Sequence, residues 1–241
     1  MLALSASAQR PEPDRIPSVR GAITIQPVLH STLVLSWNNR VIYVDPYGGA
    51  NAFKGIDAPD IILITDIHGD HMNPETLNSI QTAKATIVAP HAVVELLPPS
   101  LRTRTVALKN GASTKIEGIT ISAVPMYNLP ESADSRHPKG RGNGYVINLG
   151  GKRLYVSGDT EDIPEMHALR KIDVAFVCMN QPFTMTVEQA ASVVLNFKPA
   201  IVYPFHYRGQ GGLSDVEAFK KIIEAGNQKI EVRLRNWYPS Y

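Results

Sequence analysis

The residues from Asp60 to Thr65, DIILIT, form an uninterrupted apolar run that is followed at once by ionisable side chains. A short apolar run of this kind predicts a strand that is buried on both faces. Four potential metal ligands then occur within six residues: Asp66, His68, Asp70 and His71. Because loops at strand ends often carry functional side chains, this junction predicts a metal site at the edge of a buried sheet.

The residue types in this loop restrict the metals that could bind. Imidazole and carboxylate groups are ligands for zinc, manganese and ferrous iron. Gly69 lies between the ligands, and its lack of a side chain permits a tight loop. The single cysteine, Cys178, excludes an intramolecular disulfide and a cysteine-based zinc finger. We therefore expect one or two zinc ions as cofactor, with manganese or ferrous iron as alternatives.

The rest of the chain alternates short apolar runs with turns. Helix starts are indicated by Asn73-Pro74 and by two capping-box patterns, Thr186 with Gln189 and Ser214 with Glu217. The further predicted strands cover residues 22–28, 32–37, 40–44, 85–89, 116–124, 145–149, 153–156, 174–178 and 201–204. Strands occur in meanders as well as between helices, which argues against a purely parallel doubly wound sheet. Two packed sheets with helices outside fit this order better.

Composition and charge exclude several classes of protein. The chain has 241 residues, of which 44% are hydrophobic and 19% charged, so wholesale disorder is ruled out. There are 24 Lys and Arg against 22 Asp and Glu, without the basic stripe that duplex-DNA-binding proteins normally carry. No apolar run approaches the length of about 20 residues that a membrane helix needs. We expect a small-molecule substrate, no membrane contact and no nucleic acid, whereas the oligomeric state is open.

The first twenty residues differ from the rest. Ala6-Ser7-Ala8 has the small-x-small pattern that signal peptidase reads, but a basic n-region and a long apolar stretch are both absent. Two interpretations stay open: a periplasmic or secreted protein with a signal-peptide remnant, or a cytoplasmic protein with a disordered tail. In both cases residues 1–20 precede the fold, and residues 21–241 are expected to form a single domain.

Four motifs in order carry a resemblance to a known family. Asp66-x-His68-x-Asp70-His71 resembles the His-x-His-x-Asp-His signature of the metallo-β-lactamase-fold superfamily. Gly158-Asp159-Thr160 resembles its Gly-Asp-Thr, and His206 resembles its last histidine ligand. Leu29-His30-Ser31 and the later Tyr43-Val44-Asp45-Pro46 resemble the first strands of the UlaG-like and YtkL-like hydrolase branch. The resemblance implies an α/β (α+β) fold, a four-layer αββα sandwich.

The resemblance also implies two adjacent metal positions. Their ligand set consists of Asp66, His68 and His137 at the first position, Asp70, His71 and His206 at the second, and Asp159 as the bridge. The family usually has histidine where this chain has Asp66. A carboxylate there adds negative charge, which would favour harder metals such as manganese.

The third motif leaves two candidate ligands. Asn128 aligns with a histidine of the relatives, whereas His137 precedes a glycine-rich stretch that resembles the family's pattern after its third histidine. We interpret His137 as the ligand and Asn128 as a hydrogen-bonding neighbour or weak ligand. A surface position for His137 is the alternative.

The implied function is that of a metal-dependent hydrolase acting on an ester, lactone, amide (including a β-lactam) or phosphodiester. Asp70 is the predicted catalytic residue, because it could orient a hydroxide and carry its proton to the leaving group. His30, Lys139 and Arg141 are predicted to bind substrate, and Arg208 could also bind an anion. The alternative is a non-catalytic metal-binding scaffold or ligand sensor of the same fold, which would hold metal without turnover.

Overall fold

The computed structural model describes residues 10–239, and its framework is a pair of seven-stranded sheets. In the first sheet, four strands form an antiparallel meander and the last three continue it in parallel. In spatial order these strands are β1 (Asp14–Ile16), β2 (Ile23–Leu29), β3 (Thr32–Trp37), β4 (Arg40–Val44), β5 (Ile61–Leu63), β6 (Thr86–Ala89) and β7 (Thr105–Ala107).

The second sheet repeats this plan, with an antiparallel meander followed by parallel strands. Its strands are, in spatial order, β8 (Ser113–Ile116), β9 (Ile119–Met126), β10 (Gly142–Leu149), β11 (Lys152–Val156), β12 (Val174–Cys178), β13 (Ile201–Phe205) and β16 (Glu231–Val232). A two-stranded hairpin of β14 (Arg208–Gly209) and β15 (Gly212–Leu213) projects after β13.

Helices cover the outer faces of both sheets. They are α1 (Pro74–Ser79), α2 (His91–Leu96), α3 (Pro99–Arg102), α4 (Pro164–His167), α5 (Val187–Phe197) and α6 (Val216–Gly226), with a 3₁₀ helix over Ala50–Phe53. Side chains of α1 to α3 share one apolar cluster with the outer face of the first sheet. Side chains of α4 to α6 belong to the cluster that also fills the space between the sheets. The result is the predicted four-layer αββα sandwich.

Local sequence signals explain the starts of two helices, α1 and α5. The Asn73 side chain accepts a hydrogen bond from Thr76 N at the start of α1, and Thr186 forms the predicted capping box with Gln189. The third prediction is wrong by one residue, because Asp215 rather than Ser214 caps α6 and accepts from Ala218 N.

Two further predictions differ from the structure. The predicted strand over residues 116–124 is divided between β8 and β9 by a turn at Glu117 and Gly118, which both have positive φ. Residues 1–20 were expected to precede the fold, yet Asp14–Ile16 pairs with β2, so the folded chain begins before residue 21. Ala6-Ser7-Ala8 lies outside the described residues. Within residues 10–239, no helix is long and apolar enough to cross a membrane.

The two sheets meet closely where β5 ends. Asn143 N in β10 donates a hydrogen bond to Thr65 O, 2.9 Å away. Gly142 allows this approach, since a Cβ there would lie 2.9 Å from Thr65 O. The loops that follow β5, β11 and β13 therefore emerge side by side at one edge of the sandwich, which is the edge where the predicted ligands lie.

Candidate metal centre

The loop after β5 begins buried and ends in a turn. Asp66 is fully buried, whereas the side chain of Asp70 is 32% exposed. The backbone N–H of His71 donates to His68 O at 2.9 Å, which closes the turn around Gly69. His71 is 1% exposed. The loop therefore directs some of its ionisable side chains inward and leaves Asp70 at the surface of the site.

A first group of ligand atoms comes from Asp66, His68 and His137, whose candidate atoms all lie within 4.8 Å of one another. Asp66 Oδ2 lies 2.8 Å from His68 Nδ1 and 4.0 Å from His137 Nε2. His137 is fully buried although it lies 71 residues after Asp66 in the chain, 137 against 66. This group thus joins the loop after β5 to the loop before β10.

A second group consists of His71, Asp159 and His206, again within 4.8 Å. His206 Nε2 lies 3.2 Å from His71 Nε2 and 3.0 Å from Asp159 Oδ1. All three side chains are buried. The group thus brings two imidazole nitrogens and one carboxylate within a few ångströms of one another in a buried site. This arrangement could hold one cation.

Asp159 connects the two groups. Its Oδ2 lies 3.4 Å from His71 Nε2 and 3.4 Å from His137 Nε2. Asp70 lies at the outer side of the second group, with its Oδ2 3.6 Å from His206 Nε2 and 3.9 Å from His71 Nε2. The seven predicted ligands are thus brought to one place, and Asp159 lies between the two groups.

Unpaired buried atoms test whether a cation fits here. Within residues 10–239, five buried side-chain polar atoms make no hydrogen bond of acceptable angle, although some have a polar atom close by. Four of them belong to this cluster: His68 Nδ1, His137 Nε2, Asp159 Oδ1 and His206 Nδ1. Buried polar atoms are normally satisfied, so their concentration at one place requires an explanation. All four belong to residues of the two groups, and a metal bound to these groups would give their ligand atoms a partner.

The electrostatics of the cluster are those of tightly coupled carboxylates and imidazoles. Burial alone would raise the pKa of Asp159, but His206 and His71 hold that pKa well below its usual range. Burial would also raise the pKa of Asp70, yet the hydrogen bond from His30 and the nearby His71 lower it. Both carboxylates are therefore ionised at neutral pH, as metal binding requires.

Asn128 and His137 occupy neighbouring positions with different contacts. Asn128 Oδ1 accepts a hydrogen bond from His137 N at 2.8 Å and lies 3.1 Å from His137 Nδ1. The Asn128 amide also donates to Phe183 O at 2.8 Å. His137 consequently presents Nε2 to the cluster, whereas Asn128 holds the other side of its ring.

Two of the predicted substrate-binding residues, Lys139 and Arg141, are cations that pair with carboxylates of the chain. Lys139 Nζ lies 2.8 Å from Glu131 Oε1 and 3.5 Å from Glu165 Oε1. Arg141 donates to both carboxylate oxygens of Asp66. Both cations are thus paired with carboxylates of the chain, Lys139 at an exposed position and Arg141 at a mostly buried one.

His30 lies at the mouth of the cluster. Its Nε2 is 3.2 Å from Asp70 Oδ2, and its Nδ1 is 2.9 Å from the Tyr238 hydroxyl.

The Arg208 guanidinium stacks on the Tyr238 ring at 4.1 Å from its centroid. Among residues 10–239 the Arg208 side chain makes no ion pair. It is therefore the one predicted anion-binding side chain in this part of the chain that has no carboxylate partner.

Asp45 belongs to the Tyr43-Val44-Asp45-Pro46 motif, but nothing in the sequence predicts that it lies at the site. Asp45 Oδ2 lies 2.8 Å from His71 Nδ1, and Asp45 also accepts from Thr65 N and Thr65 Oγ1 at 2.8 and 2.6 Å. A histidine that donates Nδ1–H to a carboxylate keeps Nε2 free for a metal. His30, Asp45 and His206 all have positive φ, and such non-glycine conformations are concentrated at functional sites.

We expect Asp45→Asn to weaken metal binding by about 10- to 100-fold, the range typical when a carboxylate that orients a metal-binding histidine is altered. The neutral amide no longer supports His71 as a fully buried carboxylate does. Competition with a fluorescent chelator measures the change. Asp60→Asn is the matched control, because Asp60 also accepts a backbone N–H, from Val41 at 2.8 Å, in the first sheet. Equal affinities in wild type and Asp45→Asn would contradict this role.

The chain end was also missed, since no periodic pattern marks it. Trp237 is fully buried, and its carbonyl accepts the His30 N–H at 3.0 Å. Tyr238 then reaches the His30 ring. An aromatic pair near the end of a chain, Trp237-Tyr238, is the only sequence signal that could have indicated this contact.

Comparison with known proteins agrees with this geometry. A family model described as beta-lactamase superfamily domain matches residues 24–206. A UPF0173 metal-dependent hydrolase from Thermococcus onnurineus is 34% identical over 206 residues, which cover 80% of this chain and 89% of that protein. A protein from Parabacteroides distasonis, described as a metal-dependent hydrolase, has a crystal structure that is 36% identical with a TM-score of 0.82, over 93% of this chain and 98% of its own.

A more distant structure extends the comparison of folds. Igni18, a metallo hydrolase from Ignicoccus hospitalis, matches with a TM-score of 0.75 at 23% identity, over 91% of this chain and 96% of its own. The family match covers most of this chain, and the strand ends and buried ligand groups agree with it. The chain therefore belongs to the metallo-β-lactamase superfamily, within its family of metal-dependent hydrolases.

Proposed function

We propose that the protein hydrolyses an ester, lactone, amide (including β-lactam) or phosphodiester bond in a small molecule at a centre with two metal positions. The observation that carries this proposal is the convergence of seven side chains on two adjacent positions, with one carboxylate between them. The proposed ligands are Asp66, His68, Asp70, His71, His137, Asp159 and His206.

The donor set fits zinc, manganese or ferrous iron, because imidazole nitrogen and carboxylate oxygen bind each of them. Such ions, when bound, lower the pKa of a bound water to about 7 and polarise the scissile oxygen. The residues of the chain must then orient the attacking water, hold its proton and admit the substrate. Asp70 is suited to the first two tasks, because it faces the second group and is 32% exposed.

Asp70 accepts a hydrogen bond from the attacking water and passes its proton to the leaving group. His30 positions Asp70, since its Nε2 lies 3.2 Å from Asp70 Oδ2 while the Tyr238 hydroxyl holds its other nitrogen. The partly exposed His30 ring also lies where a substrate would approach Asp70. Arg208 remains available to bind an anionic group of the substrate, because its guanidinium stacks on the Tyr238 ring and pairs with no carboxylate within residues 10–239.

The test is metal content and turnover of the same preparation. Metal-free protein is reconstituted separately with zinc and manganese, and the ions per chain are counted by mass spectrometry. Turnover is measured on p-nitrophenyl acetate, a γ-lactone, nitrocefin and bis(p-nitrophenyl) phosphate. We expect close to two ions per chain at saturation and hydrolysis of at least one substrate, which a chelator removes and added metal restores.

Two histidine variants provide the comparison. His206→Ala removes a buried member of the second group and should lower kcat/KM by at least about 100-fold. His91→Ala removes an exposed histidine outside the groups and should change nothing. Metal binding without hydrolysis of any substrate class would favour the scaffold or sensor. A protein that binds no metal would exclude both functions.

A further inference from the structure

Asp66 has a partner that makes it unlike the other proposed ligands. Arg141 Nε lies 3.1 Å from Asp66 Oδ1, and Arg141 Nη2 lies 2.9 Å from Asp66 Oδ2. Two parallel bonds of this kind form the strong, fork-like arginine–carboxylate pair. The Arg141 side chain is only 19% exposed and that of Asp66 is fully buried, so solvent screens the pair little.

The oxygen that would bind a metal is also an oxygen that Arg141 holds. Asp66 Oδ2 is the atom closest to His68 Nδ1, at 2.8 Å, and it is the atom 4.0 Å from His137 Nε2. A metal bound to a carboxylate oxygen lies about 2.0–2.2 Å from it. A guanidinium nitrogen 2.9 Å from the same oxygen would then lie within about 5 Å of the ion.

The second group has no such competitor. Its carboxylate, Asp159, is contacted by His71, His137 and His206, and by the neutral amide of Asn180 at 3.5 Å. Within the described residues no lysine or arginine pairs with Asp159. The two positions therefore differ in charge. Asp66 and Arg141 together contribute no net charge to the first position. Asp70 adds a negative charge to the second position, and the charge of Asp159 is shared because it lies between the two.

We propose that Arg141 sets the occupancy of the first metal position by competing with the ion for Asp66, so that the position of His71, Asp159 and His206 fills first and more tightly. This inference rests on the proposed metal centre. It assigns Arg141 to the metal centre as a positioning residue, rather than to the substrate. The harder metal preference expected of Asp66 is offset for the same reason, because Arg141 neutralises the added carboxylate.

Zinc binding by the wild type and two variants tests the competition. Zinc is titrated against a competing chelator, and ions per chain are counted by mass spectrometry. The wild type should bind one ion tightly and a second more weakly. Arg141→Gln should tighten the second ion by at least about tenfold, because the competing charge is gone. Arg141→Lys, which keeps the charge, should leave the second ion weak.

Arg136→Gln is the matched control, because it removes the same side chain from the same loop. Arg136 stacks on the Phe183 ring at 4.2 Å and has no contact with Asp66. Its second zinc should bind as in the wild type. Thermal melting of each metal-free variant shows whether the protein is folded. If Arg141→Gln alone does not fold, Asp66→His with and without Arg141→Gln still decides the matter, because these two proteins differ only at Arg141.

A double-mutant cycle supplies the decisive readout. Asp66→His alone should weaken the second zinc, because Arg141 is then left as an unpaired cation beside the ion. Adding Arg141→Gln to Asp66→His should restore tight binding, so the two effects are strongly non-additive. Additive effects, or a weaker second zinc in Arg141→Gln, would overturn the role of Arg141 alone. A wild type that binds no zinc would overturn the metal centre itself, and this inference with it.

Discussion

Replacing Asp70 with alanine is expected to abolish hydrolysis while the protein keeps its fold. Asp70 is the proposed catalytic residue and faces both His71 and His206 through its Oδ2. Its side chain belongs to neither apolar cluster and is 32% exposed, so little packing is lost. A loss of activity of more than about 100-fold is expected, the size found when an electrostatic group that acts on the reacting atoms is removed.

Three measurements separate the catalytic role of Asp70 from a structural one. Turnover, metal content and the melting temperature in metal-free buffer are compared for wild type, Asp70→Ala and Asp70→Asn. Asp57→Ala, which removes an exposed carboxylate that belongs to none of the ligand groups, is the control. We expect both Asp70 variants to keep at least one metal through His71, Asp159 and His206. Retained turnover, or a fall in melting temperature that matches the fall in activity, would contradict the assignment.

Replacing Trp237 with alanine is expected to lower the free energy of unfolding by about 3–5 kcal/mol, the usual result of truncating a buried tryptophan. Trp237 is fully buried, and its ring packs edge-on against Tyr203 and Phe205 at centroid distances of 6.3 and 6.2 Å. Its indole N–H donates to Thr32 O at 3.2 Å, which joins the chain end to β3. Alanine would remove the ring contacts and leave a cavity beside the site.

Urea unfolding of metal-free protein measures this change, and the other tryptophan serves as control. Trp37 is half-buried and donates its indole N–H to Val19 O at 2.8 Å, so Trp37→Ala should be milder. The buried Trp237 ring fixes the backbone whose carbonyl accepts the His30 N–H, so Trp237→Ala should also lower kcat in protein that is still folded and loaded with metal. Equal losses of stability in the two variants would contradict the larger contribution expected of the buried Trp237.

The pairing of Asp66 with Arg141 could not be predicted from the motif that contains Asp66. The spacing of Asp66, His68, Asp70 and His71 indicated a metal loop, because these residues are neighbours in the chain. The same spacing gives no sign of the cation that balances the charge of Asp66, since Arg141 lies 75 residues away and no local pattern connects them. The pairing exists because β10 lies against the end of β5 across the two sheets.

Sequence alone determined the features that depend on near neighbours. Apolar runs predicted most strands, and the ligand loop followed from the run that ends at Thr65, because burial and periodicity are local properties. The caps of α1 and α5 were also predictable, since a cap joins residues three apart. The cap of α6 was predicted one residue too early, because the adjacent Ser214 and Asp215 are both suitable cap residues.

Only the tertiary structure decided which distant side chains support the ligands. Asp45 reached His71 from 26 residues away, and Tyr238 reached His30 from 208 residues away. Such pairs depend on the order and register of fourteen strands in two sheets, whereas periodicity reports only whether each segment is buried. The ligand types were therefore readable in the chain, but their partners, and so the charge at each metal position, were set by how the sheets pack.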